Sequence, residues 1–281
     1  MDRDGPVTQD RAAIAKRAGE LLDALRSARP LVQNITNFVS MDTAANALLA
    51  LGASPAMVHA AEESGDFIAR ADSLVVNTGT LSPPFLEGGE TAATAAHMLG
   101  RPWVLDPVGV GGGKFRNDAV RRLLRHRPSV IRGNASEILG VARVCGLNAD
   151  AAAPRGVDSA HSTDAALVTA GHLARHGFCV VAATGAVDLI TDGTRVVRLA
   201  NGHELMTRVT ALGCALSAVV AAFCAVSEDA FEATVSALAV YGVAGEMAAE
   251  QASRPGSYRV AFMDMLDAIN AADVAARLKV L

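Results

Sequence analysis

Short aliphatic runs alternate with longer segments whose apolar residues recur at helical spacing along most of the chain. The segment Arg11–Ala28 shows this spacing and ends shortly before Pro30, which predicts a helix. Uninterrupted aliphatic runs of strand length are typical of strands buried on both faces of a parallel sheet. Four such runs are residues 73–76, 103–105, 130–131 and 178–183. The alternation therefore predicts an α/β fold in which helices cover both faces of a mostly parallel sheet.

Further segments extend this sheet at both ends. Residues 31–39 predict a strand or extended loop and residues 54–58 a short strand, with a helix between them that begins at Asp42 or Thr43 and that Gly52 ends. Residues 189–199 differ because a polar turn separates two β-like runs. That arrangement is typical of a hairpin, so we expect an antiparallel pair at one edge of the sheet.

Polar residues and glycine follow each of the four aliphatic runs. They include Asn77, Asp106, Arg132 and Thr184. Ligands of open α/β sheets bind beside the carboxyl ends of the strands. We therefore expect these four strand ends to form one binding site.

The segment 207–226 begins with a short polar entry, residues 207–210, and continues after Gly213 and Cys214 as an almost uncharged apolar run. It predicts a buried helix with Thr210 as N-cap and with Gly213 and Cys214 in its first turn. The unpaired backbone N–H groups of such a helix end attract an anion such as phosphate, and the helix field favours a thiolate at Cys214. A core helix with an inert cysteine explains the same pattern, so the segment alone leaves both interpretations open.

Composition and charge favour a single globular domain over a nucleic-acid-binding, membrane-spanning or disulfide-rich protein. The 281 residues are 51% hydrophobic and only 4% aromatic, and no linker-like stretch divides them. We therefore expect one domain spanning residues 1–281, with residues 1–10 frayed. The net charge of −4 without a basic block argues against nucleic acid as a partner, and no apolar run approaches membrane-spanning length. Four cysteines without a C-x-x-C pair favour a reducing cytoplasm over a disulfide frame or a zinc site.

Several tempting motifs fail in detail. The glycine cluster 109–114 lacks the first glycine of a Walker A loop at Val108 and has Phe115 where that loop needs serine or threonine. His172 and His176 lie four apart without the glutamate of a zinc-protease motif, which favours a solvated helix face. Residues 146–163 predict a long loop, of the kind that is often functional or mobile.

Six short motifs, taken together, resemble those of hydroxyethylthiazole kinases, which belong to the ribokinase-like superfamily. The resemblance spans about residues 31–257 and implies a three-layer α/β/α sandwich. It implies that ATP and Mg²⁺ are used to phosphorylate the hydroxyethyl side chain of a methylthiazole in thiamine salvage. It also implies a homotrimer with shared active sites. The motifs are residues 33–37, 49–57, 77–81, 106–109, 131–137 and 213–214.

The same resemblance implies roles for individual residues. It places Cys214 and Gly213 at the catalytic step, with the thiol accepting a proton from the substrate hydroxyl or orienting that hydroxyl. The remaining implied roles are ATP binding by Arg132, Thr184 and Asn134, thiazole binding by Met57, Asn37 and Ala211, and metal binding by Asp106 and Glu137.

One position departs from the pattern of the family, because Ala211 stands where most members have glycine. We expect Ala211 to adopt an ordinary β conformation with its methyl group facing the thiazole pocket. Two other functions remain open at this stage. One is another small-alcohol kinase of the superfamily, such as a hydroxymethylpyrimidine kinase, and the other is an ATP-linked hydro-lyase or a non-catalytic nucleotide-binding relative.

Overall fold

A computed structural model describes residues 10–147, 159–177 and 179–281 of the chain. Its sheet has eight strands in the spatial order β2-β1-β3-β4-β5-β6-β7-β8. The first six strands are parallel, and β6, β7 and β8 pair antiparallel as the predicted hairpin requires. The strands are β1 Leu31–Ile35, β2 Ser54–Ala56, β3 Ser73–Asn77, β4 Trp103–Asp106, β5 Val130–Asn134, β6 Val180–Thr184, β7 Asp188–Thr191 and β8 Val196–Leu199.

Helices cover both faces of this sheet, as the alternating pattern predicts. The described helices are α1 Arg11–Ala28, α2 Met41–Leu51, α3 Ala61–Phe67, α4 Pro83–Met98, α5 Lys114–Leu124, α6 Ala135–Val144, α7 Ser159–Gly177, a 3₁₀ turn Glu204–Arg208, α8 Leu212–Cys224, α9 Ala230–Gln251, α10 Pro255–Ala268 and α11 Ala271–Arg277. Helices α1, α2 and α8 to α11 pack on one face, and α3 to α7 pack on the other.

Alternate residues of the central strands enter the two apolar cores. Val75 and Val104 face the core beneath α8, whereas Leu74 and Leu105 face the core beneath α4. This division explains why the strand sequences are aliphatic without alternation, since both faces of each strand are buried. The three-layer α/β/α sandwich expected from the sequence is therefore confirmed.

Three local predictions need correction or lie outside the described residues. Helix α2 begins at Met41 behind Ser40, one residue before Asp42. Of the predicted loop 146–163, residues 148–158 are outside the described part, and its last residues belong to α7 because that helix begins at Ser159. Residues 1–9, predicted to be frayed, are also outside the described part.

Candidate functional site

The carboxyl ends of β3, β4, β5 and β6 meet the first turn of α8. These four strands are consecutive neighbours in the sheet, so their polar terminal residues lie side by side. Helix α8 is almost entirely buried along its length, and Tyr241 Oη anchors its first turn by donating to the Leu212 carbonyl at 2.7 Å. The predicted convergence of strand ends on this helix is confirmed.

The turn into α8 differs from the sequence prediction. Its N-cap is Ala211 and no side chain caps it, so the prediction of Thr210 as N-cap is wrong. Ala211 has φ 71° and ψ −5°, which is the left-handed region, so the expected β conformation is also wrong. The chain reverses too tightly for an extended residue at this point, and glycine would adopt the same conformation without a steric cost. The uncapped first turn leaves backbone N–H groups available to an anion.

Arg132 reaches from β5 to the start of α8. Its guanidinium donates to the Gly213 carbonyl at 2.8 Å and to Thr184 Oγ1 at 2.6 Å. Both acceptors are neutral, and the buried Nε has no acceptor among the described residues. Arg132 is only 9% exposed, and within the described residues no carboxylate makes a salt bridge with it, although Asp106 and Asp188 are near enough for its charge to lower their pKa values. Such a charge favours an anionic ligand.

A cavity of about 600 Å³ opens beside this guanidinium. We call it the α8 cavity. One wall is apolar and comes from α8 and α9, and the opposite wall comes from the end of β6 and the start of β7. The residues that line this cavity include Arg132, Thr184, Asp188, Met206, Leu216 and Leu238.

A second cavity of about 670 Å³ lies at the other end of the strands, beside their amino ends. It is lined by Asp72, Arg101, Trp103 and the end of α8 at Cys224, so it faces the amino ends of the strands. None of the residues predicted to act in the site lines this cavity. Its position argues against a role in the chemistry, since ligands of such sheets bind at the carboxyl ends.

Asp106 ends β4 in the buried floor of the site. Its Oδ2 accepts from Asn77 Nδ2 at 2.7 Å and from Ser217 Oγ at 2.8 Å. The pKa of Asp106 is raised to about 6, chiefly because burial and, to a smaller extent, Glu137 outweigh the lowering by Arg132 and the two hydrogen bonds. A cation beside this carboxyl would therefore offset the cost of its buried charge.

Glu137 and Asn134 form a capping box at the start of α6. Asn134 Oδ1 accepts from the Glu137 N–H at 2.9 Å, and Glu137 Oε2 accepts from the Asn134 N–H at 2.8 Å. Glu137 Oε1 accepts from the Gly109 N–H at 3.1 Å. Both residues therefore cap α6 whether or not they bind a ligand. The bond from Gly109 also connects the exposed glycine cluster to the site.

Cys214 is partly buried in the first turn of α8 and accepts a hydrogen bond from Asn37 Nδ2 at 3.3 Å. Burial raises the pKa of the thiol, and the charge of Asp106 raises it further, while Asn37, Asn77 and Arg132 lower it. The expectation that the helix field leaves this thiol with a lowered pKa is wrong in direction. Desolvation outweighs the helix end because the sulfur is packed among buried polar groups.

Beside Asn134 and Glu137 in their capping box and Ala211 at the start of α8, the other seven predicted site residues form two hydrogen-bonded groups and one outlier. Hydrogen bonds join Arg132, Thr184 and Gly213 directly. They also connect Asn37 and Cys214 to Asp106 through Asn77. Met57 lies just after β2 at the far edge of the sheet, is partly buried, and packs against the α8 core.

Sequence reasoning missed Ser217, and it gave Asn77, one of the four predicted strand-end residues, no individual role. Asn77 occupies the centre of the buried polar network, and Ser217 holds Asp106 from α8. Both carry a signal in the sequence. Asn77 is the polar residue that ends an aliphatic run, and Ser217 is the polar residue inside an otherwise apolar helix.

The histidine pair that failed to match a zinc-protease motif lies on the surface of the protein. His172 and His176 are exposed on α7, as a solvated helix face requires. Within the described ranges, His, Cys, Asp and Glu form no group of three or more suited to a metal ion. None of the described helices has both the length and the hydropathy needed to cross a bilayer.

Comparison with known proteins points to one family. Residues 22–272 match the family described as the hydroxyethylthiazole kinase family. The chain is 54% identical over 258 residues to a hydroxyethylthiazole kinase of Cereibacter sphaeroides, covering 92% of this chain and 96% of the relative. The structure of a hydroxyethylthiazole kinase from Pyrococcus horikoshii superposes with a TM-score of 0.87 at 42% identity, covering 95% of this chain and 98% of that one. Staphylococcus aureus pyridoxal kinase, at 16% identity and a TM-score of 0.51, shares the fold alone.

Proposed function

This chain belongs to the hydroxyethylthiazole kinase family, and we propose that the first turn of α8 is where it transfers phosphate from ATP to a thiazole alcohol. A kinase of this family uses ATP as co-substrate and phosphorylates the hydroxyl of 4-methyl-5-(2-hydroxyethyl)thiazole in thiamine salvage. The observation that supports the location is Arg132, whose hydrogen bonds go only to neutral acceptors, beside an uncapped helix N-terminus. Phosphoryl transfer requires mainly alignment of the alcohol and stabilisation of developing charge, which these groups are suited to supply.

The nucleotide is proposed to occupy the α8 cavity. Its apolar wall of Met206, Leu216 and Leu238 suits a purine base, and its polar end suits phosphates. Arg132 would contact the phosphates while Thr184 orients its guanidinium through the 2.6 Å hydrogen bond. Asn134 would contribute from the adjacent end of β5. The backbone N–H groups at Gly213 would meet the transferring phosphoryl group.

The alcohol is proposed to approach Cys214 from the opposite side of the same turn. The raised pKa of the thiol means that the neutral form dominates near neutral pH. The neutral thiol would therefore orient the hydroxyl by a hydrogen bond, whereas the minor thiolate form would accept the hydroxyl proton as the new O–P bond forms. Met57 and Ala211 would form apolar parts of the thiazole pocket, and Asn37 lies beside the thiol.

Asp106 and Glu137 are the residues proposed to hold Mg²⁺. The donor set fits, because this ion binds to one or two protein carboxylates and completes its shell with water and substrate phosphates. The buried setting of Asp106 and the contribution of Glu137 to its raised pKa support this proposal, because a cation would offset the charge of both carboxylates. The bound ion would neutralise charge on the phosphates.

A cytoplasmic homotrimer is the proposed form of the protein. Phe38 and Val39, which directly follow Asn37, are 65% and 58% exposed, and Leu49 of α2 is 59% exposed. Large apolar side chains this exposed beside a site favour a subunit contact there. The free cysteines suit a reducing compartment.

The test of function is an ADP-release assay over a panel of alcohols. We expect turnover with the thiazole alcohol and much less with hydroxymethylpyrimidine, ribose or pyridoxine. Arg132→Ala should raise the KM for ATP at least tenfold with little change in melting temperature, because the charge is lost but no apolar core is. Equal turnover of hydroxymethylpyrimidine would favour the alternative kinase, and an unchanged KM would exclude Arg132 from the site.

The thiol is tested by two substitutions. Cys214→Ala should lower kcat by tenfold or more with little change in the KM for ATP, because the group acts on the acceptor. Cys214→Asp should retain activity, since a carboxylate in the same turn also accepts a proton. An alanine variant with parental kcat would show that Cys214 serves packing alone.

A further inference from the structure

A chain of side-chain hydrogen bonds runs from Cys214 to the buried floor of the site. Asn37 Nδ2 donates to Cys214 Sγ at 3.3 Å and to Asn77 Oδ1 at 3.0 Å. Asn77 Nδ2 then donates to Asp106 Oδ2 at 2.7 Å. Asn37 and Asn77 are both almost completely buried, so water does not compete for these bonds.

The direction of every bond in this chain is determined by backbone N–H groups. Asn37 Oδ1 accepts from the N–H groups of Val39 and Ser40, both at 3.1 Å, so its NH₂ group faces Cys214. Asn77 Oδ1 accepts from the Gly79 N–H at 2.8 Å, so its NH₂ group faces Asp106. Reversing either amide would place an oxygen against an acceptor and an NH₂ against a donor. The sulfur therefore always faces a donor.

The position of the Asn37 side chain is also fixed by Gly79. A Cβ atom at residue 79 would lie 2.7 Å from Asn37 Nδ2 and 2.9 Å from its Cβ and Cγ. The φ of Gly79 is not positive, so alanine is compatible with the backbone there, and the three atoms nearest to its Cβ would all belong to Asn37. The glycine thus allows the amide to sit against the strand end.

We propose that Asn37, held by Asn77 and Gly79, is a positioning residue that acts on the reaction through the Cys214 sulfur. Both hydrogens of its NH₂ group are used, one by Asn77 and one by the sulfur, and both oxygen bonds go to the backbone. None of its polar groups is left to bind the thiazole. This inference rests on the proposed function and replaces direct substrate binding as the role of Asn37.

The arrangement has a chemical consequence for the thiol. Because Asn37 occupies one side of the sulfur, a proton on the sulfur must point away from Asn37. In the thiolate form, the same amide N–H stabilises the negative charge of the sulfur before it accepts the substrate proton. The amide thus holds the thiol in one orientation toward the acceptor alcohol and away from the protein interior.

Kinetics of Asn37 variants test the proposal. Asn37→Ala removes the amide, and Asn37→Asp keeps the acceptor for Val39 and Ser40 but loses the donor. We expect kcat to fall about tenfold in both, the equivalent of one hydrogen bond, with the KM for the thiazole alcohol within twofold of the parent. Gly79→Ala should lower kcat in the same way by displacing Asn37. Asn46→Ala is the control, since Asn46 is exposed on α2 and bonds only to Asp42.

A second experiment shows whether Asn37 acts through the thiol. In a Cys214→Ala background, Asn37→Ala should have no further effect on kcat, because the group that it positions is absent. The contact between Asn37 and Cys214 can also be measured without turnover, from the rate at which iodoacetamide alkylates Cys214. We expect this rate to be about tenfold lower in Asn37→Asp than in the parent, as quantified on the Cys214 peptide by mass spectrometry. Melting temperatures identify variants whose fold is lost.

The outcomes separate this inference from the proposed function. A raised KM for the alcohol with parental kcat, an unaltered alkylation rate, or a full additional loss in the Cys214→Ala background would overturn the positioning role. Parental kcat in Cys214→Ala itself would overturn the proposed role of the thiol, and positioning for catalysis with it.

Discussion

At the scale of single residues, Ala211 holds a conformation that costs an L-amino acid free energy. Its φ of 71° places Cβ close to the following carbonyl, at a cost of about 1 kcal/mol or more. The turn is held on its helical side by the Ala215 N–H bond to the Ala211 carbonyl at 2.9 Å and by Tyr241 on Leu212. The surrounding packing therefore enforces the conformation although the residue is not glycine.

Ala211→Gly should consequently stabilise the protein. The relieved strain exceeds the extra unfolded-state entropy of glycine, so we expect a gain of roughly 0.5 kcal/mol in the free energy of unfolding. The melting temperature should rise by about 1–2 °C, as measured by calorimetry. The matched control is Ala215→Gly, four residues later inside α8, which should lose about 1 kcal/mol. A loss of similar size in both variants would contradict the strained turn.

Asp188 makes a second residue-scale prediction, for pH dependence. Burial raises its pKa to about 6, while the Gly185 N–H bond and Arg132 lower it. Because the folded pKa lies above the ordinary value of 3.8, its contribution to stability is complete below about pH 4 and is lost as pH rises through 6.

Asp188→Asn should abolish this loss of stability with rising pH, because asparagine does not ionise. The asparagine oxygen can still accept the hydrogen bond from the Gly185 N–H. Between pH 5 and pH 7.5 we expect the parent to lose about 1 kcal/mol that the variant retains, with allowance for water that reaches this partly exposed side chain. Urea unfolding at both pH values measures the difference. The same loss in parent and variant would mean that Asp188 is ionised throughout this range.

At the scale of elements, the sequence pattern predicted most of the sheet because both faces of the strands are buried. The aliphatic runs ending at Val76, Leu105 and Ile131 all lie inside observed strands, and helix α1 has the predicted bounds. Element ends were harder to predict, since they depend on local polar groups. The start of α8 shows the reason: Thr210 is a favourable capping residue, but the strained turn moves the cap to Ala211.

The start of α6 allows capping and ligand binding to be separated. Asn134 is the N-cap, so Asn134→Ala should lower the free energy of unfolding by about 1 kcal/mol, whereas Asn134→Asp should retain the cap. If Asn134 also donates to ATP through its NH₂ group, the aspartate variant should raise the KM for ATP severalfold despite parental stability. Thermal melts and ATP titrations on the two variants measure these effects. An aspartate variant as unstable as the alanine variant would contradict the capping role.

At the scale of the whole molecule, the active-site network was not predictable from the sequence. Asn37 and Cys214 are 177 positions apart, and their contact depends on which strands become neighbours in the sheet. A hydrophobic pattern reports that a strand is buried but not which strand it pairs with. The residues of the site were therefore indicated by family resemblance, and the link through Asn77 became visible only in the structure.

The proposed trimer shares its active sites between subunits. We therefore expect activity to be lost when the trimer dissociates. Val39→Glu and Leu49→Glu place charges on exposed apolar positions near the site. In a trimer interface such a charge loses its hydration, so we expect a shift to monomer in light scattering and a large fall in kcat/KM. The matched control is Met98→Glu, because Met98 is 79% exposed at the end of α4, next to residues lining the cavity beside the amino ends of the strands. This control should remain assembled and active with the parental melting temperature, whereas the two interface variants should stay folded but melt at a lower temperature. Parental activity in a Leu49→Glu or Val39→Glu protein shown to be monomeric would exclude shared active sites.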